Sequence, residues 1–262
     1  MMKRIDRIVA YGCSWTAGSE LLDHVHMNMS FDECNLIKSK YVNNGLSLEN
    51  MQKFIELYDI NNPINIARNH SSSWAGQLAA LLGKPFENRA MAGTGLDQIY
   101  FTVFNDYLSG KILPTDLVLV GLTSAYRLIK FTGNKVGTLL AGHNITSEDK
   151  LFVEVFNDDF AVFQYYKTVS LLANLKSKIN IRLQPIINDL NPSSNYFTFD
   201  LKHVKSYVDY VWDETQDVFI LANDFLKDCI VGFKPRRCGF FHQPIESHTE
   251  LANKIYNQVK FQ

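Results

Sequence analysis

The sequence predicts an α/β fold: a three-layer α/β/α sandwich around a central parallel sheet of about five strands. Three observations predict it. Short apolar runs alternate with segments of helical periodicity along the whole 262-residue chain. The run Asp116-Leu117-Val118-Leu119-Val120-Gly121 is apolar at every position between its ends, which suits a parallel strand covered on both faces. The first apolar run leads into Tyr11-Gly12-Cys13-Ser14-Trp15-Thr16-Ala17-Gly18, the layout of a strand that turns tightly into a helix at the carboxyl edge of such a sheet.

Taken in order, residues 5–11 read as the first strand and 19–26 as a helix or loop. From about 27 to 70 the chain is polar and Asn-rich, with turn signals at Asn43-Asn44-Gly45 and Asn61-Asn62-Pro63 and a helix over 48–58. This stretch reads as an insertion beside the site. Ser71-Ser72-Ser73 caps a helix over 74–82 that Gly83 ends. A strand follows over 85–90, a turn at Gly93-Thr94-Gly95, and a helix over 96–108 with Ile99, Phe101, Val103 and Phe104 as its apolar positions. Gly133, Gly137 and Gly142 mark 128–157 as a second insertion made of loops or a hairpin. A helix over 160–175, a strand over 179–185, helices over 204–211 and 214–227 and a short strand over 230–233 come next. The last helix, 247–259, carries Leu251, Ala252, Ile255 and Val259 on one face. No repeat or low-complexity tract divides the chain, so residues 1–262 read as a single domain.

With 46% hydrophobic and 20% charged residues the chain suits a soluble globular protein with a full core. A formal net charge of −1 implies no basic face, so nucleic acid is not an expected partner. The four cysteines, Cys13, Cys34, Cys229 and Cys238, show no CxxC spacing, which argues for reduced thiols rather than a zinc site or disulfide framework. Met1-Met2-Lys3-Arg4 is basic, but Asp6 and Arg7 interrupt the apolar run behind it, so no signal peptide is expected. No segment approaches a membrane span, and no membrane partner is expected.

Ser14, exposed by the first turn, is the candidate nucleophile. A serine hydroxyl needs a base to take its proton and donors for the oxyanion that forms on the substrate. The candidate bases are His242, on a loop marked by Pro244 just before the C-terminal helix, and His248, at the start of that helix. The ordinary alternative for each is a surface or helix-start histidine. The N–H of Ser14 is the first oxyanion donor, Gly93 in the turn Ala92-Gly93-Thr94-Gly95 offers a second, and the strand end Gly121-Leu122-Thr123-Ser124 offers the hydroxyls of Thr123 and Ser124.

In order and spacing these blocks resemble the SGNH (GDSL-type) hydrolase family. Gly12-Cys13-Ser14-Trp15-Thr16-Ala17-Gly18 is similar to the first family block, with Cys13 in place of Asp. Asn88-Arg89-Ala90-Met91-Ala92-Gly93 is similar to the second, whose glycine N–H enters the oxyanion hole. Gly121-Leu122-Thr123-Ser124 stands where the family has Gly-x-Asn-Asp, so the Asn donor is absent. Gly239-Phe240-Phe241-His242, followed by Pro244 and His248, stands for Asp-x-x-His, so the acid is replaced by Gly239. Ser73-Trp74, and Arg127 after Thr123-Ser124, fit a divergent branch found in phage and bacterial genomes.

The resemblance implies a flavodoxin-like fold, with Ser14 as nucleophile and His242 as base, and places His248 at the helix start. A backbone carbonyl, Glu246, Asp224 or Asp228 would orient His242 in place of the missing acid. The residue before the serine turns inward in the family, so Cys13 is expected to pack. Trp15 and Trp74 could stack on a sugar, with core packing the commoner role. The expected function is a serine esterase or deacylase acting on a small-molecule or carbohydrate ester, with no cofactor and no metal. The alternatives are an acyltransferase, or a decayed binding or virion-structural protein on the same scaffold. The expected location is cytoplasmic or virion-associated.

Overall fold

The computed structural model describes residues 4–19, 21–22, 25, 28, 30, 33–34, 63–123, 127–132, 135–140, 158–185 and 245–260. Strand β1 (Arg7–Tyr11) runs into a single helical turn, α1 (Ser14–Ala17). Then follow α2 (Pro63–Ser72), α3 (Trp74–Leu82), β2 (Phe86–Asn88), α4 (Leu96–Leu108) and β3 (Asp116–Leu122). A hairpin of β4 (Arg127–Thr132) and β5 (Lys135–Leu140) precedes α5 (Asp158–Asn174), β6 (Asn180–Pro185) and α6 (Ile245–Lys260).

The described sheet has four parallel strands in the order β2-β1-β3-β6. Side chains of a strand alternate between its faces, and here both faces are apolar. Ile8 and Ala10 of β1, with Leu117 and Leu119 of β3, pack on Trp74, Ala75, Leu78 and Ala79 of α3 and on Leu251, Ala252 and Ile255 of α6. Val9, Tyr11, Val118, Val120 and Leu122 face the other way, onto Leu96, Ile99 and Val103 of α4 and Tyr165, Val169 and Leu172 of α5. That is a three-layer α/β/α sandwich. Each fully buried Leu, Ile or Val contributes roughly 1.5–3 kcal/mol of apolar burial, which is why β3, buried at all seven positions, is the spine of the sheet.

The chain steps from β1 to β2 in one direction and from β2 over to β3 in the other. A right-handed crossover puts its helix on a face set by that direction, so α3 and α4 fall on opposite faces. The reversal opens a crevice at the carboxyl ends of β1 and β3, where open α/β sheets bind ligands.

Polar groups fasten the layers. Arg89, just past β2, donates to Tyr11 Oη at 2.8 Å and to Asp106 Oδ2 at 2.9 Å, and its guanidinium also grips the Glu87 carboxylate at 2.7 and 2.9 Å. Arg7 joins Glu87 at 2.8 Å and the fully buried Asp116 at 2.6 and 3.0 Å. The hydrogen bond from Arg89 and the charges of both arginines hold Glu87 below the usual carboxylate range. Burial raises the Tyr11 phenol, which keeps it a neutral donor to Asp106 at 3.0 Å.

Most predicted elements fall in place within a residue or two. The serine cap is Ser73, whose hydroxyl accepts from Gly76 N at 3.3 Å, and Gly83 closes α3 with φ 60°. The glycine-marked second insertion contains the hairpin, in which Thr132 pairs with Lys135. Two expectations need correction. Phe101 is not a core position of α4: it is 59% exposed, because Leu96, Ile99 and Val103 define the buried stripe and Phe101 falls outside it. The end of the first predicted insertion is not irregular, since Pro63 opens helix α2. The predicted elements over 48–58, 204–211, 214–227 and 230–233 lie outside the described residues.

Candidate active site

Ser14 occupies the first position of α1, at the carboxyl end of β1 and beside the crevice. The turn that puts it there depends on Gly12. Its φ is +153°, and a Cβ there would lie 2.7 Å from Thr16 Cβ and 3.0 Å from Gly121 O. Glycine thus lets β1 turn directly beneath its own helix and against β3. Ser14 is 7% exposed. Among the described residues neither its hydroxyl nor its N–H is engaged by a hydrogen bond, as expected for the first N–H of a helical turn.

The second loop is fastened to this turn. Met91 N donates to Gly12 O at 3.0 Å, and Thr94 Oγ1 donates to the same oxygen at 2.9 Å. Asn88 completes the attachment: its Nδ2 donates to Thr16 O at 3.0 Å and its Oδ1 accepts from Ala90 N at 3.0 Å. Gly93, at the exposed tip, has φ +79° with open space where a Cβ would point. Its N–H has no hydrogen-bond partner among the described residues. The Arg89 side chain, clamped to Asp106 and Tyr11, and its N–H, bonded to Ala10 O at 2.8 Å, hold the start of this loop.

From the other side of the crevice comes Thr123, the residue after β3. It is fully buried, and its Oγ1 has no hydrogen-bond partner among the described residues. A buried hydroxyl with nothing to bond is costly to keep and often marks a functional position. Ser14, Gly93 and Thr123 thus come from three chain segments that meet at the end of the β1–β3 pair.

His248 has a different setting. It is 3% exposed on α6, and its Nδ1 accepts the N–H of Trp74 at 2.9 Å, satisfying an orphan donor at the start of α3. A neutral imidazole has one acceptor nitrogen, and here that lone pair is taken. Glu246 is exposed in the first turn of α6. His242, Ser124, Asp224 and Asp228 lie outside the described residues. Cys13 is fully buried, and Trp74, 1% exposed, belongs to the core under α3, with Trp15 packed partly against the same cluster. Sequence reasoning missed the supports of the site, namely Arg89, Asp106, Asn88 and Thr94. The only local signal was their place in and around the second block. Among the described residues no group of His, Cys, Asp and Glu is arranged to hold a metal ion, and no helix is long and apolar enough to cross a membrane.

No protein-family model and no curated protein matches the chain. Solved structures with a similar chain course include G-D-S-L family proteins and an esterase. One is a lipolytic G-D-S-L family protein from Veillonella parvula DSM 2008, 9% identical over 96% of each chain, with a TM-score of 0.39. Another is a G-D-S-L family protein from Desulfitobacterium hafniense DCB-2, 12% identical over 96% of this chain and 98% of that one, TM-score 0.38. A third is a catalytic mutant of an acetylxylan esterase from Geobacillus stearothermophilus, 11% identical over the whole of this chain and 98% of that one, TM-score 0.44.

Proposed function

We propose that the protein is a serine esterase or deacylase of the SGNH type, hydrolysing an ester of a small molecule or carbohydrate, such as a sugar O-acetyl group. The observation that carries the proposal is the junction at Gly12. One carbonyl, bonded by both Met91 and Thr94, ties the loop bearing Gly93 to the turn bearing Ser14, leaving a hydroxyl and two N–H groups at the carboxyl edge of the sheet with no partner among the described residues. Such an arrangement suits acyl transfer, in which donors must be in place before negative charge develops on the carbonyl oxygen.

In the proposed reaction Ser14 Oγ attacks the ester carbonyl while His242 takes its proton. The oxyanion rests against the N–H groups of Ser14 and Gly93 and against the hydroxyl of Thr123 or Ser124. His242 returns the proton to the departing alcohol, and a water activated by the same imidazole then releases the acyl group. His242 is preferred to His248 because the acceptor nitrogen of His248 is already committed to Trp74. A backbone carbonyl, or Glu246 four residues on, would orient His242 in place of the missing acid.

A fluorophosphonate probe and 4-nitrophenyl acetate test the proposal on the wild type, Ser14→Ala and His242→Ala. Labelling and turnover that vanish in both variants are expected. A wild type that neither labels nor turns over, or turnover that survives Ser14→Ala, refutes it.

A further inference from the structure

We propose that Arg127 binds an anionic group, a carboxylate or a phosphate, on the ester that this site takes. The substrate class is therefore an anionic ester rather than a neutral one. The word substrate rests on the hydrolase reading above; the anion site itself does not.

Arg127 opens the hairpin, four residues past Thr123. Its backbone is pressed against the loop that holds the Ser14 turn. A Cβ at Gly95 would lie 2.5 Å from Arg127 O and 3.4 Å from Arg127 Cβ, and Thr94, the neighbour of Gly95, donates to Gly12 O at 2.9 Å. Arg127, Gly95, Thr94 and Gly12 thus form a short contiguous path to the nucleophile turn.

The guanidinium is not satisfied there. Its Nε and Nη1 are shielded from water, and neither has a hydrogen-bond partner among the described residues. The acid nearest Gly95 in the chain has another partner: Asp97, in the first turn of α4, pairs with Lys167 at 2.9 Å. A lysine in this position could shed its proton, but a guanidinium stays charged at any working pH and offers only donors. A half-buried cation with two of its three nitrogens shut from water, and with no counter-ion among the described residues, disfavours the empty site and favours a ligand that brings the missing charge. Carboxylate and phosphate are the groups whose oxygens match a planar guanidinium. Protein surroundings that had no use for the charge would pair it, as they pair Arg7 with Asp116 and Glu87.

Two measurements separate this inference from the hydrolase reading. Calorimetric titration of the Ser14→Ala protein with succinate and with inorganic phosphate reads the anion site without chemistry. At least one should bind, and the better binder identifies the source of the charge. Adding Arg127→Gln should weaken that binding at least tenfold, with Arg127→Lys falling between, and the melting temperature of Arg127→Gln should not fall. No binding of either anion, binding indifferent to Arg127→Gln, or a clear loss of thermal stability in that variant overturns the inference. Kinetics then test the link to the substrate. The ratio of kcat/KM for 4-nitrophenyl hydrogen succinate over 4-nitrophenyl acetate should exceed one and fall about tenfold in Arg127→Gln, a change of about 1.4 kcal/mol. An unchanged ratio overturns it. If anions bind as expected but Ser14→Ala leaves turnover intact, the hydrolase reading fails and the anion site stands.

Discussion

Thr123→Val separates function from stability, because the two effects have opposite signs. The Thr123 side chain is fully buried and its Oγ1 finds no partner among the described residues. Valine has nearly the same shape without the hydroxyl. Leaving a buried hydroxyl unsatisfied costs about 1–3 kcal/mol, so its removal should stabilise the protein by a like amount. For a chain of this length each kcal/mol moves the melting temperature by about 2–4 °C. If the same hydroxyl supports the oxyanion, its loss should lower kcat by about 10²–10³, the usual effect of deleting one such donor. The expected variant is therefore several degrees more stable and far slower, a sign of stability given up for function. Thr168→Val is the control. Thr168 on α5 is also fully buried, with an Oγ1 that has no partner among the described residues, but it belongs to none of the three segments that meet at Ser14, so the substitution should raise stability and leave the rate alone. Thermal melts and 4-nitrophenyl acetate kinetics on both variants and on Thr123→Ser, which keeps a hydroxyl, complete the test. A Thr123→Val protein that keeps its rate, or loses stability, refutes the reasoning.

Two further outcomes follow from the packing. His248→Ala strips the buried Trp74 N–H of its acceptor and opens space between α3 and α6, so urea unfolding should show a loss of about 2–4 kcal/mol. A loss under about 0.5 kcal/mol would mean that His248 does not hold the start of α3. The second outcome concerns acid. Because Glu87 is held below its ordinary value of 4.5 in the folded protein, chiefly by the hydrogen bond from Arg89, its contribution is complete above about that pH and disappears as pH falls through the folded value. Glu87→Gln should therefore flatten the acid limb of the stability–pH curve. The effect should stay below about 1 kcal/mol, since the side chain is 41% exposed and screened. A parallel acid limb in the two proteins would contradict it.

Much of the sheet was legible because its strands are short and its burial two-sided. The apolar run of β3 can satisfy its side chains only between two helical layers, so sequence alone pointed to a sandwich. Helix ends were legible where the cap chemistry is local, as with Ser73 and Gly83 around α3. Phe101 was misread because Ile99, Phe101, Val103 and Phe104, close together in α4, admit more than one choice of buried stripe, and only the neighbouring β3 and α5 select Leu96, Ile99 and Val103. His248 stood as the alternative base to His242 because a histidine at the start of a C-terminal helix suits catalysis as well as holding a neighbouring helix end. Its partner, Trp74 N–H, is 174 residues away along the chain, beyond any local signal.

For the Ser14 turn the division is sharper. The residue order Tyr11-Gly12-Cys13-Ser14 determined a strand that turns and offers a hydroxyl, because a glycine at the turn and an apolar strand before it act over a few residues. Tertiary structure alone decided what meets that hydroxyl. It fastened Met91 and Thr94 to Gly12 O, set Thr123 at the end of the neighbouring strand β3, and left the hydroxyl of Thr123 and the charge of Arg127 without partners among the described residues. Such pairings, and the lack of them, depend on which strands lie side by side. That order is set by burying both faces of the whole sheet at once, so no short stretch of the chain carries it.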